Sequence, residues 1–137
     1  MVRQHIHTDS PKDVVALLRR LPPAFPDALV EVMKWRGCTV EELAEKALIS
    51  RSTVIRMRNE HNYESTLESV VGICVALQLS PPIYQEIIAK SGHTFKLNER
   101  HIAYQQLLPQ VSYFGWDIHQ FNEALAEWGI DPIGQGE

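Results

Sequence analysis

Two arginines five residues apart, Arg51 and Arg56, stand among small polar residues in the run Ser50-Arg51-Ser52-Thr53-Val54-Ile55-Arg56-Met57-Arg58-Asn59. On a helix, Val54 and Met57 take the inward positions, while Arg51, Ser52, Ile55, Arg56 and Asn59 share the opposite face. A guanidinium carries five N–H donors in a rigid fork and matches any planar pair of acceptors, a guanine edge among them. Ser52 and Thr53 add short donors, and Ile55 adds an apolar side chain of the kind that packs on a thymine methyl group. The bland alternative is a solvated surface whose charges meet Glu41, Glu45 or Glu60 in weak exposed pairs. Neither position 55 nor position 52 offers an i,i+4 acidic partner to Arg51 or Arg56, so the spacing predicts a free ridge of guanidinium groups. Arg58 lies nearer the packed side and reads as structural.

Such a ridge needs a scaffold. Thr39 with Glu42 forms the S/T-x-x-E capping box, which predicts a helix starting at Thr39 with Leu43, Ala44, Ala47 and Leu48 on its packed side. Ser50 is a good N-cap for the next helix, leaving a turn of about three residues between the two. A short helix, a tight turn and a polar second helix is the arrangement that lets the second helix enter the roughly 12 Å wide major groove of DNA.

Upstream, Ser10-Pro11 opens an amphipathic helix with Val14, Val15, Leu17, Leu18 and Leu21 as its apolar set, and Leu21-Pro22-Pro23 ends it. It packs against the bundle or against a second subunit. Pro26 opens the next helix, with Leu29, Val32 and Met33 inward, Trp35 as a partly buried anchor and Gly37 at the end. Downstream, Ser65-x-x-Glu68 reads as a second capping box before Leu67, Val70, Val71, Cys74, Val75 and Leu77, the most apolar helix and the expected centre of the bundle. Ser80-Pro81 starts a helix with Ile83, Tyr84, Ile87 and Ile88 that closes at Gly92. After a linker over residues 93–97, Asn98 caps a helix carrying Ile102, Ala103, Leu107 and Leu108. Asp117-x-x-Gln120 caps a last one carrying Ile118, Phe121, Leu125 and Trp128, and the two should pair as an αα-hairpin. The expected fold class is all-α, divided into an N-terminal accessory helix (1–24), a five-helix helix-turn-helix DNA-binding domain (25–92), a C-terminal helical hairpin (93–130) and a frayed tail (131–137).

The segment from Pro26 to Gly92 resembles the phage-repressor type of helix-turn-helix (lambda repressor, Cro, Xre). Thr39 sits where that family opens its second helix, Leu43-Ala44 matches its core pair, and Ser50 to Val54 match the start of its recognition helix. The resemblance implies a five-helix lambda-repressor-like bundle. It places Arg51, Ser52, Ile55 and Arg56 at base-reading positions and Asn59 at a backbone-contacting one, with Thr53 touching a base or phosphate and the helix start at Thr39 facing phosphate. Two positions depart from the family: Val40 replaces a phosphate-touching glutamine, and Leu48 replaces the turn glycine. A left-handed leucine would be strained, so Leu48 is expected in an ordinary helical conformation with a shifted turn. The hairpin, with TLESVVGICVALQL and FNEALAEWGI, is similar to bacterial mobile-element regulators associated with ImmA/IrrE-type metallopeptidases.

The remaining chemistry is sparse. A chain of 137 residues with 45% hydrophobic and 22% charged residues supports an ordinary hydrophobic core. No apolar run nears the ~18 residues of a membrane span, and no secretory leader pattern is visible, so a cytoplasmic protein is expected. Cys38 and Cys74 read as reduced small hydrophobes. There is no H-E-x-x-H, P-loop, Gly-rich dinucleotide turn or G-x-S-x-G, which argues against an enzyme, and no metal or other cofactor is called for. His5-x-His7 lacks further ligands nearby, and His101 and His119 read as separate imidazoles unless the hairpin brings them together. The net charge of −4 disfavours non-specific nucleic-acid binding. The segment 34–60, however, holds six basic residues against four acidic ones. The expected activity is sequence-specific binding of double-stranded DNA by a homodimer in transcription regulation. The alternative is an adaptor or antitoxin-like module that grips a protein, a toxin or metallopeptidase. Arg51 and Arg56 folded down onto neighbouring carboxylates instead of protruding to base edges, or buried beneath another helix, would overturn the DNA-binding reading in favour of that alternative.

Overall fold

The computed structural model describes residues 9–134, and within them the chain is all-α, with eight helices and no strand. They are α1 (Pro11–Arg20), α2 (Phe25–Arg36), α3 (Val40–Ala47), α4 (Arg51–Asn59), α5 (Leu67–Ala76), α6 (Pro81–Lys90), α7 (Glu99–Phe114) and α8 (Ile118–Glu127). His5-x-His7 lies outside the described residues.

Most helix starts follow local chemistry. Side chains of Ser10, Thr39, Ser50, Asn98 and Asp117 each accept a backbone N–H from the third residue onward, and Thr39–Glu42 and Asp117–Gln120 complete reciprocal capping boxes. The box expected at Ser65–Glu68 does not form. Thr66 is the cap of α5 and accepts from the Ser69 amide at 3.0 Å, one residue later than the spacing suggests. Ser80 occupies the cap position of α6, but its hydroxyl is buried without a partner, and the proline at the first helical position carries the start instead. Helix α7 runs through Pro109, which forfeits one backbone hydrogen bond without ending the helix.

Helix α5 is the centre of the molecule. Leu67, Val70, Val71, Ile73, Cys74 and Val75 are all buried, covering every side of the helix. It packs on α3, α6, α7 and α8, so the helix-turn-helix and the C-terminal hairpin share one core. Burial of apolar area on this scale is the main force holding the fold. Helix α1 lays Val14 and Leu17 into that core and touches α6, which makes it part of the bundle; Val15 faces outward. Ile102 and Trp128 are likewise exposed rather than inward, and Tyr104 fills the interior of α7 in their place.

Two tertiary features tie the segments at Asp9 and Ile133 to this core. Arg36 donates to both carboxylate oxygens of Asp9 at 2.9 Å, to the carbonyl of Leu77 at 2.8 Å and to that of Gln78 at 2.9 Å, with its guanidinium over the Trp35 ring. It thus satisfies carbonyls at the end of α5 while anchoring the segment before α1. At the other end, the tail does not fray over residues 131–134. Ile133 is buried, its amide donates to Asn122 Oδ1 at 2.9 Å, and its carbonyl accepts from Asn122 Nδ2 at 3.2 Å. Ile133 packs beside Gly72, where a Cβ would lie 3.4 Å from Ile133 Cγ2 and 3.5 Å from the Ala47 carbonyl oxygen, both ordinary contact distances.

Candidate nucleic-acid interface

Helices α3 and α4 form a helix-turn-helix. Thr39 Oγ1 accepts the Glu42 amide at 3.1 Å and Glu42 Oε1 accepts the Thr39 amide at 3.0 Å, so both polar groups of Thr39 are engaged within its own helix start. The Glu42 carboxyl is held below its ordinary pKa chiefly by that backbone bond. Leu43, Ala44 and Ala47 are buried and Val40 is half-buried against the core, so Val40 is an apolar packing residue.

The turn corrects one expectation. Leu48 is left-handed, with φ 58° and ψ 41°, and not helical. The turn keeps the geometry that a glycine would adopt and places a leucine in it. Such a residue costs roughly 1–2 kcal/mol and persists only where its surroundings enforce it. They do so here. The Ile49 amide donates back to the Ala44 carbonyl at 3.1 Å, closing the end of α3, and Gly134 of the tail lies flush against the turn. A Cβ on Gly134 would come within 2.8 Å of both the Ala47 carbonyl oxygen and Leu48 Cβ.

Helix α4 starts at a hydroxyl cluster. Ser50 Oγ accepts the Thr53 amide at 3.1 Å and lies 2.7 Å from Thr53 Oγ1 and 3.2 Å from Ser52 Oγ. Val54 and Met57 are buried under it. Arg51, Ser52, Arg56 and Asn59 are exposed, and Thr53 and Ile55 are half-buried, so the residues singled out from the sequence do share one outward surface. Arg58 is half-buried, and its Nε is buried without a partner.

The two arginines are not free, however. Arg51 Nε donates to Glu41 Oε2 at 2.7 Å, and Arg56 Nε lies 3.6 Å from Glu60 Oε1, an i,i+4 pair that the spacing argument overlooked. The Arg56 guanidinium also sits 4.5 Å over the Tyr63 ring. The hydrogen bond from Arg51 is the main cause holding the Glu41 carboxyl below its ordinary pKa. Both arginines nonetheless stay open to solvent, with side-chain exposures of 62% and 55%. Exposed pairs of this kind contribute little to stability, and neither one buries its arginine. Glu60 was readable from the local spacing. Glu41 and Tyr63 required the packing of α3 and of the loop after α4 to bring them in.

The other titratable groups gather elsewhere. The Lys96 amide donates to His101 Nδ1 at 2.8 Å. His119 is exposed beside a cleft of about 520 Å³ that also borders Cys38, Glu42 and Asp117. The two imidazoles are separate, as the simpler reading holds. Burial raises the Cys74 thiol and, to a smaller depth, that of Cys38. Among the described residues no group of three or more His, Cys, Asp or Glu side chains is placed to hold a metal ion, and no helix is long and apolar enough to cross a membrane.

Residues 28–82 match the family profile of the Cro/C1-type HTH DNA-binding domain. The matched stretch begins within α2 and ends at the start of α6, so it contains the capping box, the turn and the whole of α4. The match supports a DNA-binding regulator of the phage-repressor type. No curated protein and no solved structure matches the chain.

Proposed function

We propose that this protein is a sequence-specific DNA-binding transcriptional regulator, not an enzyme, which reads the major groove with α4 as a homodimer on a pseudo-palindromic site. The similarity of residues 28–82 to a Cro/C1-type HTH DNA-binding domain is the observation that carries this reading. The exposed polar face of α4 agrees with it. In this reading residues 25–92 form the DNA-binding unit, and the hairpin over residues 93–130 serves assembly or partner binding in the cytoplasm.

Arg51 and Arg56 donate to guanine edges, Ser52 and Thr53 touch a base or phosphate, Ile55 packs on a thymine methyl group, and Asn59 holds the backbone. Thr39 contributes through the position of its helix start and through its hydroxyl, which accepts the Glu42 amide and keeps its own O–H as a donor toward phosphate. One recognition helix spans only a few base pairs. Two copies on half-sites about 34 Å apart would supply the missing specificity.

Selection of bound sequences from a random duplex pool tests the proposal. The expected result is an enriched, two-fold symmetric motif whose binding weakens steeply as salt rises. Enrichment of no sequence would overturn it.

A second reading is an adaptor or antitoxin-like module that grips a protein such as a toxin or a metallopeptidase. The carboxylates facing both arginines favour it, as does an uncovered apolar groove of about 440 Å³ on the hairpin beside Leu97, Ile102 and Trp128. A largely apolar protein interface would change little with salt, which separates the two readings.

A further inference from the structure

The carboxylates on the α4 face engage the arginines in one particular way. Glu41 holds Arg51 through Nε, and the nearest approach of Glu60 to Arg56 is also at Nε. A guanidinium is planar and rigid, so fixing Nε fixes the plane, and the two terminal amino groups remain as an end-on fork. In Arg56 the plane is constrained a second time by the Tyr63 ring at 4.5 Å. Both side chains remain more than half exposed. The result at Arg51 is an aimed fork rather than a quenched charge.

Glu41 stands in the first turn of α3 and Arg51 in the first turn of α4, so their contact spans the turn at Leu48. An arginine held this way loses little further rotamer freedom when it meets a guanine edge, whereas a free arginine adapts to phosphates and to several bases. A carboxylate beside the groove also repels phosphate, and this penalty falls on every sequence that offers no compensating base contact.

We infer that Glu41, acting through Arg51, is a positioning residue that sets the base preference of α4. This rests on the DNA-binding reading above and goes beyond it by assigning discrimination to an acidic residue that would not itself touch a base. If the carboxylate only neutralised charge, its loss would strengthen binding to all sequences alike and leave base preference untouched.

Selections from a random duplex pool, run in parallel with the wild-type chain, R51A, E41A and E41Q, test this, with binding to a duplex of scrambled sequence measured alongside. R51A should erase a guanine preference at one position of each half-site. E41A should weaken the same preference by about tenfold while binding scrambled duplex as tightly as wild type or more tightly. E41Q keeps an amide oxygen for Nε–H, so it should retain the preference while gaining affinity for scrambled duplex. An E41A motif identical to that of wild type overturns the inference, and so does a uniform loss across every position, which would mark a merely structural role. A wild-type chain that enriches nothing overturns the DNA-binding reading itself, and the inference with it. Unchanged thermal unfolding of each variant confirms that folding is not what is being read.

Discussion

The helix-turn-helix and the C-terminal hairpin stand on the same helix and present opposite kinds of surface. On one side, α4 exposes arginines, hydroxyls and an asparagine, with its charges matched to neighbouring carboxylates. On the other, the start of α7 and the end of α8 leave Leu97 94% exposed and Trp128 51% exposed beside an apolar groove. Charged surfaces steer and discriminate, and apolar ones supply non-directional binding energy. The proposed function places recognition on the polar face and assembly on the apolar one. What joins them is α5, together with a tail that crosses from the hairpin to the turn at Leu48.

The strongest way to break this contrast is to loosen the hairpin and see whether the helix-turn-helix follows. Phe121→Ala removes a fully buried ring and should cost about 3–5 kcal/mol. Because α5 is common to both regions, circular dichroism and tryptophan fluorescence should report one shared unfolding transition at lower denaturant. Two separate transitions would mean two independent units. Ile133→Ala tests the tail alone, with an expected loss of about 2–4 kcal/mol in the same measurement. Faster amide exchange at Leu48 and Ile49 in that variant would show that the tail braces the turn.

On the recognition side, Arg56→Ala should weaken binding to the selected duplex by about 1–3 kcal/mol in a titration and relax preference at one base pair, with little change in stability. A smaller effect is expected at the capping box. Glu42 has its pKa lowered by the Thr39 amide, so its contribution to stability is present above the ordinary carboxylate value and is lost as pH falls through the lowered one. Thermal unfolding across the acidic range should therefore fall less steeply in Glu42→Gln than in the wild-type chain. The smallest effect belongs to the outer face. Leu97→Ser should shift folding stability by no more than about 0.5 kcal/mol, since so exposed a side chain contributes little to the core.

How much of this could be read from the chain depends on the distance over which each effect acts. Thr39–Glu42 and Asp117–Gln120 are legible because both partners lie within one turn of helix. The error at Ser65 arose because Thr66, its neighbour, offers the same hydroxyl one position on, and spacing alone does not rank the two. The Arg56–Glu60 pair is legible in principle, because the two residues stand at i,i+4 spacing. Arg51 and Glu41 lie ten residues apart on different helices and meet only through the turn. Trp128 and Ile102 look inward by periodicity, yet the described elements leave them 51% and 37% exposed.

The sequence by itself determined the eight helices, the caps that start most of them, the buried character of α5 and the polar face of α4. These follow from hydrogen bonds and hydrophobic periodicity within a few residues. Tertiary structure alone decided that Leu48 takes a left-handed conformation, that Ile133 and Gly134 close over it, and that Glu41 reaches Arg51. Each of these depends on atoms brought together from distant segments, where burial and close contact outweigh the local preference of a leucine for negative φ or of a terminal segment for solvent.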